Sequence, residues 1–309
     1  MKRELRSLHH HMQQAGITQY LEDDTVTEIM LNPDGQLWIE AFGQPMRCCH
    51  VVSPDDALRI IHAIADCHHL IIDRQHPLLE CELPLDGSRF EGLADPVVAQ
   101  TSFVIRKKAT RVFTLDEYVE AGSLSPAQYD AIVALILAHR NIVIVGGTGS
   151  GKTTLANAVL AKIADCFPDE RFIILEDTNE IQCQAKNFVV MRTCDKAGIS
   201  MQTLLRATLR YRPDRIIVGE VRGGEALDLL KAWNTGHPGG VATIHADSAR
   251  LGLDRLEQCI SEVAVTINHR MIAATVHAVV FIKKTAEGRK IQDVVEVQDY
   301  HDGHYRFHT

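Results

Sequence analysis

Residues 141–164 read NIVIVGGTGSGKTTLANAVLAKIA, and this stretch decides the fold of the larger part of the chain. Its β-branched run predicts a buried strand, its glycines predict a tight turn, and the residues from Lys152 onward predict a helix. The turn fits the pattern G-x-x-x-x-G-K-[ST], in the strand-to-helix context that a phosphate-binding loop requires. The residues of this loop are Gly146, Gly147, Thr148, Gly149, Ser150, Gly151, Lys152, Thr153 and the adjacent Thr154.

The loop has the chemistry to hold ATP together with Mg²⁺. Its glycines let backbone N–H groups curl around phosphate oxygens, and the start of the helix adds the positive end of its dipole. Lys152 supplies a mobile cation, and the Thr153 hydroxyl can bind Mg²⁺. The dinucleotide pattern G-x-G-x-x-G is not met, because Lys152 stands where its third glycine would follow Gly147 and Gly149. The structural alternative is a glycine-rich turn with an exposed lysine.

Strands and helices alternate on both sides of this loop. A helix is predicted over 127–139, and apolar, strand-like runs recur at 171–175, 215–218 and 241–244. Such alternation implies parallel strands joined by crossover helices. We therefore expect an α/β domain over residues 125–309.

Acidic residues follow two of the predicted strands. One strand ends in Gly219-Glu220, the form expected of the carboxylate partner of a phosphate-binding loop, and another is followed by the cluster Glu176 to Glu180. Because the carboxyl ends of parallel strands line the ligand crevice, an acid of this cluster can activate the attacking water. Alternatively, the cluster caps a helix and faces its dipole.

Two histidines, His237 and His245, flank a glycine-rich turn and a short predicted strand. Their spacing of eight does not match the H-x₃₋₅-H spacing of zinc sites. Each can contact phosphate or relay the state of the nucleotide to a neighbouring subunit. The structural alternative is a histidine that is hydrogen-bonded in the core.

The first part of the chain, residues 1–112, predicts a smaller α+β domain. Strand-like runs at 25–32 and 37–42 are separated by a Pro-Asp-Gly turn, which predicts a β-hairpin. A serine and a proline open an amphipathic helix over about 53–66. Polar and turn residues predict a linker over 113–124.

The composition, charge and apolar runs of the chain argue against a nucleic-acid-binding, a secreted or a membrane-spanning protein. The 309 residues are 46% hydrophobic and carry a net charge of −8, from 32 basic and 40 acidic side chains. This is typical of a globular protein, and the missing basic excess argues against direct nucleic-acid binding. The start MKRELRSLHHHMQQ lacks the apolar core of a signal peptide, and the most apolar stretch, 131–145, is too short and interrupted to span a bilayer. We expect a cytoplasmic protein.

In combination, these motifs resemble those of the traffic ATPases of bacterial type II and type IV secretion and of type IV pili. The resemblance is carried by LEDDTVTEIMLNPDGQLWIE (21–40), ILEDTNEIQC (174–183), LRYRPDRIIVGEVRGGEALDLLKAWNTGHPGG (209–240) and ATIHADS (242–248). In that family the motifs are called Walker A, Asp box, Walker B and His box. The resemblance implies a RecA-like P-loop ATPase domain after a PAS-like N-terminal domain. It further implies a ring of six subunits, with nucleotide held between the two domains.

The resemblance also implies roles for single residues. Lys152 and Thr153 match the residues that bind phosphate and Mg²⁺. Glu180 resembles the catalytic base, and Glu220 resembles the Walker B glutamate, which holds Mg²⁺ through water. The His-box matches are His237 and His245.

The arginines that the N-terminal domain of this family supplies to the phosphates are best matched by Arg106, and Arg89 is a second match. A planar guanidinium suits a group with several oxygens, although a surface ion pair is the alternative for Arg89. Arg210 and Arg212, which precede the Walker B strand, are further candidates for the site.

The function implied is that of a hexameric Mg²⁺-ATPase that powers conjugative pilus biogenesis or substrate transfer. Its expected partners are copies of itself and inner-membrane secretion or pilus machinery, with peripheral membrane contact. Two departures favour the conjugation and type IV secretion branch: no C-x-x-C element is present, and Glu176-Asp177-Thr178 replaces the EDP-type Asp box. The alternatives are a retraction or tight-adherence pilus motor, a RecA-like nucleic-acid translocase, and a scaffold that uses ATP as a switch.

Overall fold

The computed structural model describes residues 3–41, 44–108, 111–194 and 197–308. The chain divides into two compact units, residues 1–110 and residues 111–309. Within the described ranges, no helix is both long enough and apolar enough to cross a membrane.

The N-terminal unit is a six-stranded antiparallel sheet covered by helices. Its elements are α1 (Arg3–Gln14), α2 (Thr18–Glu22), β1 (Val26–Leu31), β2 (Gln36–Ala41), β3 (Arg47–Val51), α3 (Pro54–Cys67), β4 (Leu78–Glu82), β5 (Arg89–Leu93) and β6 (Ser102–Arg106). The strand order is β3-β2-β1-β6-β5-β4, with every neighbouring pair antiparallel. Apolar side chains of α1 and α3 form one core with those of the strands, including Leu8, Ile60, Ile29, Phe90 and Phe103.

Local sequence signals account for the elements that were predicted in this unit. The Ser53 hydroxyl accepts a hydrogen bond from the Asp56 N–H at 3.1 Å and so caps α3, whose first residue is Pro54. The hairpin of β1 and β2 is confirmed, and Gly35 takes the left-handed conformation in its turn with φ +82°. The predicted second strand included Phe42, which lies outside the described residues.

The second unit is built on an eight-stranded mixed sheet. Its elements are α4 (Leu115–Glu120), α5 (Pro126–Leu137), β7 (Ile142–Gly146), α6 (Lys152–Cys166), β8 (Arg171–Glu176), β9 (Asn187–Arg192), α7 (Met201–Thr208), β10 (Arg215–Val221), α8 (Glu225–Trp233), β11 (Val241–His245), α9 (Ala249–Ser261), α10 (His269–Thr275), β12 (Ala278–Thr285), β13 (Gly288–His301) and β14 (His304–His308). The strand order is β14-β13-β12-β7-β11-β10-β8-β9. The six strands from β12 to β9 are parallel, and β13 and β14 add antiparallel strands at one side. The expected α/β architecture of this part of the chain is confirmed.

Two apolar clusters cover the two faces of this sheet. One includes residues of α7, α8, α9 and α10, and the other includes residues of α4, α5 and α6. Strand β7, which precedes the predicted phosphate-binding loop, is buried along its whole length between these layers. In the parallel pairing of β7 with β11, Gly146 stands opposite His245. The loop therefore begins at the carboxyl edge of the sheet, beside the ends of β11 and β10.

The expected linker over 113–124 is not a free connection. Thr114 caps α4 in a reciprocal capping box with Glu117, and Leu115, Tyr118 and Leu124 are buried in the core shared with α5 and α6. The segment is short and polar enough to read as a linker. Its apolar side chains nevertheless pack into the core of the second unit, to which this segment belongs.

Candidate active site

At two positions, the backbone of the loop between β7 and α6 has a conformation that only glycine adopts easily. Gly149 has φ +67° and Gly151 has φ +96°, both in the left-handed region. A Cβ on Gly146 would lie 2.4 Å from the carbonyl oxygen of Ile282 and 2.4 Å from Ser150 Oγ. The loop therefore needs glycine for two reasons, the dihedral angles and the close approach of β12. Of the remaining loop residues, Thr148 is exposed and Thr154 is half-buried in the first turn of α6.

Lys152 is the buried cation of the loop, with its side chain folded back over the backbone. Its ammonium donates to the carbonyl oxygens of Gly146 and Gly147, each at 3.0 Å, and lies 3.2 Å from Nδ1 of His245. Burial lowers the pKa of Lys152, and the charges of Glu220 and Glu180 oppose that shift. A desolvated ammonium beside an open loop is suited to exchange these contacts for an anion.

His245 links Lys152 to the end of the Walker B strand. Its Nε2 lies 2.6 Å from Glu220 Oε1, at the end of β10. A carboxylate only accepts and an ammonium only donates, so the neutral ring carries its proton on Nε2 and offers Nδ1 to Lys152. Burial and the neighbouring Lys152 charge lower the pKa of His245, against the opposing effect of Glu220. The imidazole is therefore held neutral between a cation and an anion.

Glu180 reaches the same loop from the end of β8. Its Oε2 accepts from the Thr153 hydroxyl at 3.3 Å. The turn that carries it is fixed by buried Glu176, whose Oε2 accepts from the N–H groups of Glu180 at 3.2 Å and Ile181 at 2.9 Å. Asn157 of α6 adds a contact, because its amide donates to the Glu180 carbonyl at 3.4 Å. Two acids of one motif thus have separate roles: Glu176 shapes the turn and Glu180 faces the loop.

Arg222 joins the two acidic motifs and was not predicted from the sequence as a site residue. Its Nε and Nη2 contact Glu220 Oε2 at 2.7 and 2.5 Å, and its Nη1 lies 3.5 Å from Asp177 Oδ2. Asp177 in turn accepts from the Thr193 hydroxyl at 2.9 Å. The only local signal was an arginine two positions after the strand-end glutamate, which by itself reads as a surface side chain.

His237 does not join this group. It lies in the loop before β11, whereas His245 is the last residue of that strand. At roughly 3.3 Å per residue, β11 is about 13 Å long from Val241 to His245, and His237 precedes its first residue, so His237 lies toward the opposite, amino edge of the sheet. Arg215, the first residue of β10, donates to the carbonyl of nearby Gly239 at 2.8 Å.

Arg210 and Arg212 also lie at the amino edge. Both precede β10, whose carboxyl end carries Glu220, so within one chain the length of the strand separates them from the loop. Closeness in sequence to a motif is misleading here, because a β-strand carries its two ends to opposite edges of the sheet.

Arg89 and Arg106 are neighbours in the N-terminal unit. They stand directly opposite each other on β5 and β6, and directly opposed residues of antiparallel strands share a face of the sheet. Arg89 donates to Glu80 at 3.0 Å and Arg106 donates to Glu28 at 2.9 Å. Both guanidinium groups are at least partly exposed, so the unit presents a pair of arginines on one surface.

The residues at the carboxyl edge fit ATP with Mg²⁺. The hydroxyl of Thr153 and the carboxylates of Glu180 and Glu220 are hard oxygen donors, which Mg²⁺ prefers. Lys152 and the glycine loop offer the charge and the open backbone that a triphosphate needs. The set holds no thiol and only one imidazole, so it is poorly suited to a zinc ion.

Comparison with known proteins gives a consistent result. Residues 10–300 match the family described as Type II/IV secretion system protein. The chain is 47% identical over 289 residues to the probable conjugal transfer protein TrbB of Sinorhizobium fredii, covering 94% of this chain and 88% of that protein. It is 34% identical over 274 residues to the type IV secretion system protein PtlH of Bordetella pertussis, covering 77% of each chain.

Among solved structures, the ATPase DotB of Legionella pneumophila superposes with a TM-score of 0.63. The match covers 89% of this chain and 77% of that one, at 19% identity. At this identity the likeness concerns the fold alone.

Proposed function

The chain belongs to the family of type II/IV secretion system proteins, and from its site we propose that it is a Mg²⁺-dependent ATPase that powers conjugative pilus biogenesis or substrate transfer. One observation carries the proposal. Four side chains from four separate segments of the chain meet around the glycine loop, namely Lys152, Glu180, Glu220 and His245. The names of the relatives, a conjugal transfer protein and a type IV secretion protein, support the biological setting.

Each side chain has a chemical task in ATP hydrolysis. The backbone of the loop and Lys152 bind the phosphates, and the ammonium exchanges its contacts with Gly146 and Gly147 for phosphate oxygens. Thr153 and, through water, Glu220 would hold Mg²⁺, and the ion would neutralise charge on the phosphates. Glu180 is the general base: its carboxylate already lies at the loop and orients the attacking water.

His245 holds two of the other site residues in position. It shares the Lys152 ammonium with the loop carbonyls and holds one oxygen of Glu220. When phosphate draws the ammonium away, His245 loses its contact with Lys152 and keeps its hydrogen bond to Glu220.

The N-terminal unit completes the proposed enzyme. We assign it as PAS-like, with Arg106 and Arg89 as the arginines that reach the nucleotide phosphates. The proposed ring is a homohexamer, in which we assign His237 to a contact with a neighbouring subunit rather than with its own phosphate loop. The assembly lies in the cytoplasm, at the inner membrane, bound to secretion or pilus machinery.

Steady-state hydrolysis by the purified full-length chain tests the proposal. Lys152→Ala is expected to abolish turnover, and Glu180→Gln is expected to bind ATP but not to hydrolyse it. Turnover by Lys152→Ala within a few-fold of wild type would contradict the assignment. Loss of binding in Glu180→Gln would recast Glu180 as structural. Turnover that rises with added single-stranded DNA and falls steeply with salt would instead indicate a nucleic-acid translocase.

Light scattering tests the assembly. With Mg²⁺ and a slowly hydrolysed ATP analogue, six copies of the 34.4 kDa chain should give a particle of about 206 kDa. A monomer with and without nucleotide would leave the ATP site in place but contradict the ring.

A further inference from the structure

Arg222 connects two motifs that lie on neighbouring strands. It follows β10 directly, and its guanidinium spans from Glu220 on that strand to Asp177, which follows the adjacent strand β8. Two of its nitrogens contact a single oxygen of Glu220, and a third faces Asp177. The other oxygen of Glu220 is held by His245. Glu220 is therefore fixed from both sides, and Arg222 provides one of them.

Through Arg222 the contacts form a closed circuit around the phosphate loop. Its members, in order, are Lys152, His245, Glu220, Arg222, Asp177, Glu180 and Thr153. Every step is a hydrogen bond or an ion pair, except that the backbone joins Asp177 to Glu180 and Lys152 to Thr153. Arg222 is the step that ties the side chains of the Walker B strand to those of the Asp box.

The backbone at Arg222 is held in place independently of its side chain. One oxygen of the Glu225 carboxylate accepts from the N–H of Arg222 at 2.7 Å and from that of Gly223 at 3.0 Å. A guanidinium N–H of Arg255, on α9, lies 3.5 Å from the Arg222 carbonyl oxygen. With the backbone fixed, only the side-chain torsions of Arg222 remain to be ordered when the guanidinium pairs with its two carboxylate partners.

We propose that Arg222 is a positioning residue for hydrolysis, which holds the Asp box against the Walker B glutamate so that Glu180 stays aligned with the phosphate loop. The inference rests on the proposed ATPase function. Arg222 acts through Glu220 and Asp177 and does not itself touch the nucleotide. When nucleotide draws Lys152 out of the circuit, the bridge made by Arg222 keeps the two acidic motifs together.

The chemistry of the bridge requires arginine. The guanidinium is planar, is always charged and presents several N–H donors in a fixed fork, so one group can pair with two carboxylates at once. A lysine ammonium is a point charge and would pair with one of the two. Arg222→Lys should therefore retain the charge and lose the bridge.

The test measures turnover and binding in the same set of full-length proteins. For Arg222→Gln we expect kcat to fall about tenfold or more while the affinity for a fluorescent ATP analogue stays within about threefold, because the change acts on the chemical step. Arg222→Lys should recover only part of the lost turnover. Asp177→Asn should lower kcat in the wild-type background and have little further effect in Arg222→Gln, because the two residues act as one unit. The matched control is Arg306→Gln, which removes an exposed arginine paired with Asp299 on the β13–β14 hairpin.

The inference would be overturned by wild-type kcat in Arg222→Gln, by full turnover in Arg222→Lys, or by independent effects of the Arg222 and Asp177 changes. A parallel loss of nucleotide affinity would also overturn it, since Arg222 would then be a binding residue. If the wild-type chain itself does not hydrolyse ATP, the proposed function fails. In that case a double-mutant cycle of unfolding free energies in the nucleotide-free protein still decides the bridge: coupling between Arg222 and Asp177 supports it, and additive effects refute it.

Discussion

Replacing Glu170 by alanine is expected to destabilise the ATPase unit while leaving the phosphate loop intact. The side chain of Arg215 is fully buried, with 0% of its surface exposed. Its Nε is paired with Glu170, its Nη1 donates to the Gly239 carbonyl at 2.8 Å, and its guanidinium lies 4.7 Å from the centre of the Phe167 ring. Nη2 has no hydrogen-bond partner among the described residues. The charge of this arginine is therefore balanced by Glu170 alone among the residues named.

The size of the effect follows from the burial of the pair. Removing one partner of a buried ion pair costs about 3–5 kcal/mol, because the other charge stays buried without compensation. The Glu170 side chain is 21% exposed, so water reaches one side of the pair and we expect the lower end, about 3 kcal/mol. For a domain of this size that corresponds to a fall in Tm of roughly 6–12 °C. Glu170→Gln keeps an acceptor without the charge and should lose about half as much.

The assay combines thermal unfolding with nucleotide binding. Glu170 precedes β8, at the edge of the sheet opposite the loop, so the affinity of the folded protein for an ATP analogue should change less than about twofold. The control is Asp299→Ala, which removes the partner of Arg306. That pair is 55% exposed on each side and is expected to contribute less than about 1 kcal/mol.

A loss in Glu170→Ala no larger than that of the control would refute this reasoning. It would mean that the guanidinium of Arg215 finds water or another partner when Glu170 is removed, and that the pair does not hold the amino edge of the sheet. A large loss of nucleotide affinity in fully folded Glu170→Ala would refute the expectation that a change at the amino edge of the sheet leaves the loop at the carboxyl edge unaffected.

Three further predictions concern single positions in the ATPase unit. Burial lowers the pKa of His277 below its usual 6.5, with a smaller contribution from nearby positive charge. The folded state then binds fewer protons than the unfolded state, so stability falls as the pH drops below about 6.5, and His277→Asn should lose less Tm between pH 7 and pH 5. Gly149→Ala places a side chain at φ +67° with no atom within 4 Å of its Cβ, so we expect a stability loss of about 1 kcal/mol from backbone strain alone. The affinity for ATP, measured by fluorescence titration, should fall at least roughly tenfold. Asn141→Ala leaves the buried N–H of Gly240 and the carbonyl of Thr275 without their partners, at 2.9 and 2.8 Å, and should cost about 2–4 kcal/mol in urea unfolding.

Local pattern predicted most of the secondary structure around the site. The strand, glycine loop and helix of 141–164 lie where the sequence placed them, because their signals are short-range: β-branched residues, glycines, and a helix that starts at Lys152. The serine caps at Ser53 and Ser125 are likewise read from neighbouring residues, since each accepts from an N–H three positions on.

Helices and strands whose stability depends on residues distant in sequence were harder to predict from the sequence. The segment 113–124 contains polar and turn residues and was taken for a linker, yet Leu115 and Tyr118 are buried against α5 and α6. The helices α9 and α10 and the edge strands β9 and β14 were not predicted. Their apolar faces are stabilised by packing against a core whose other residues are distant in sequence, so the local pattern does not predict them.

The sequence by itself determined that this chain carries a glycine loop with the pattern of a phosphate-binding loop, two acidic motifs and a pair of histidines, because each motif is a short run of residues with its own chemistry. Only the tertiary structure decided which of them meet. The order β7-β11-β10-β8 brings His245 and Glu220 beside Lys152, and the length of β11 carries His237 to the other edge. The partnership of Arg222 with Asp177 arises in the same way, from the pairing of β10 with β8. Strand order depends on pairing between residues far apart in the chain, and the local periodicity of hydrophobic residues contains no information about it.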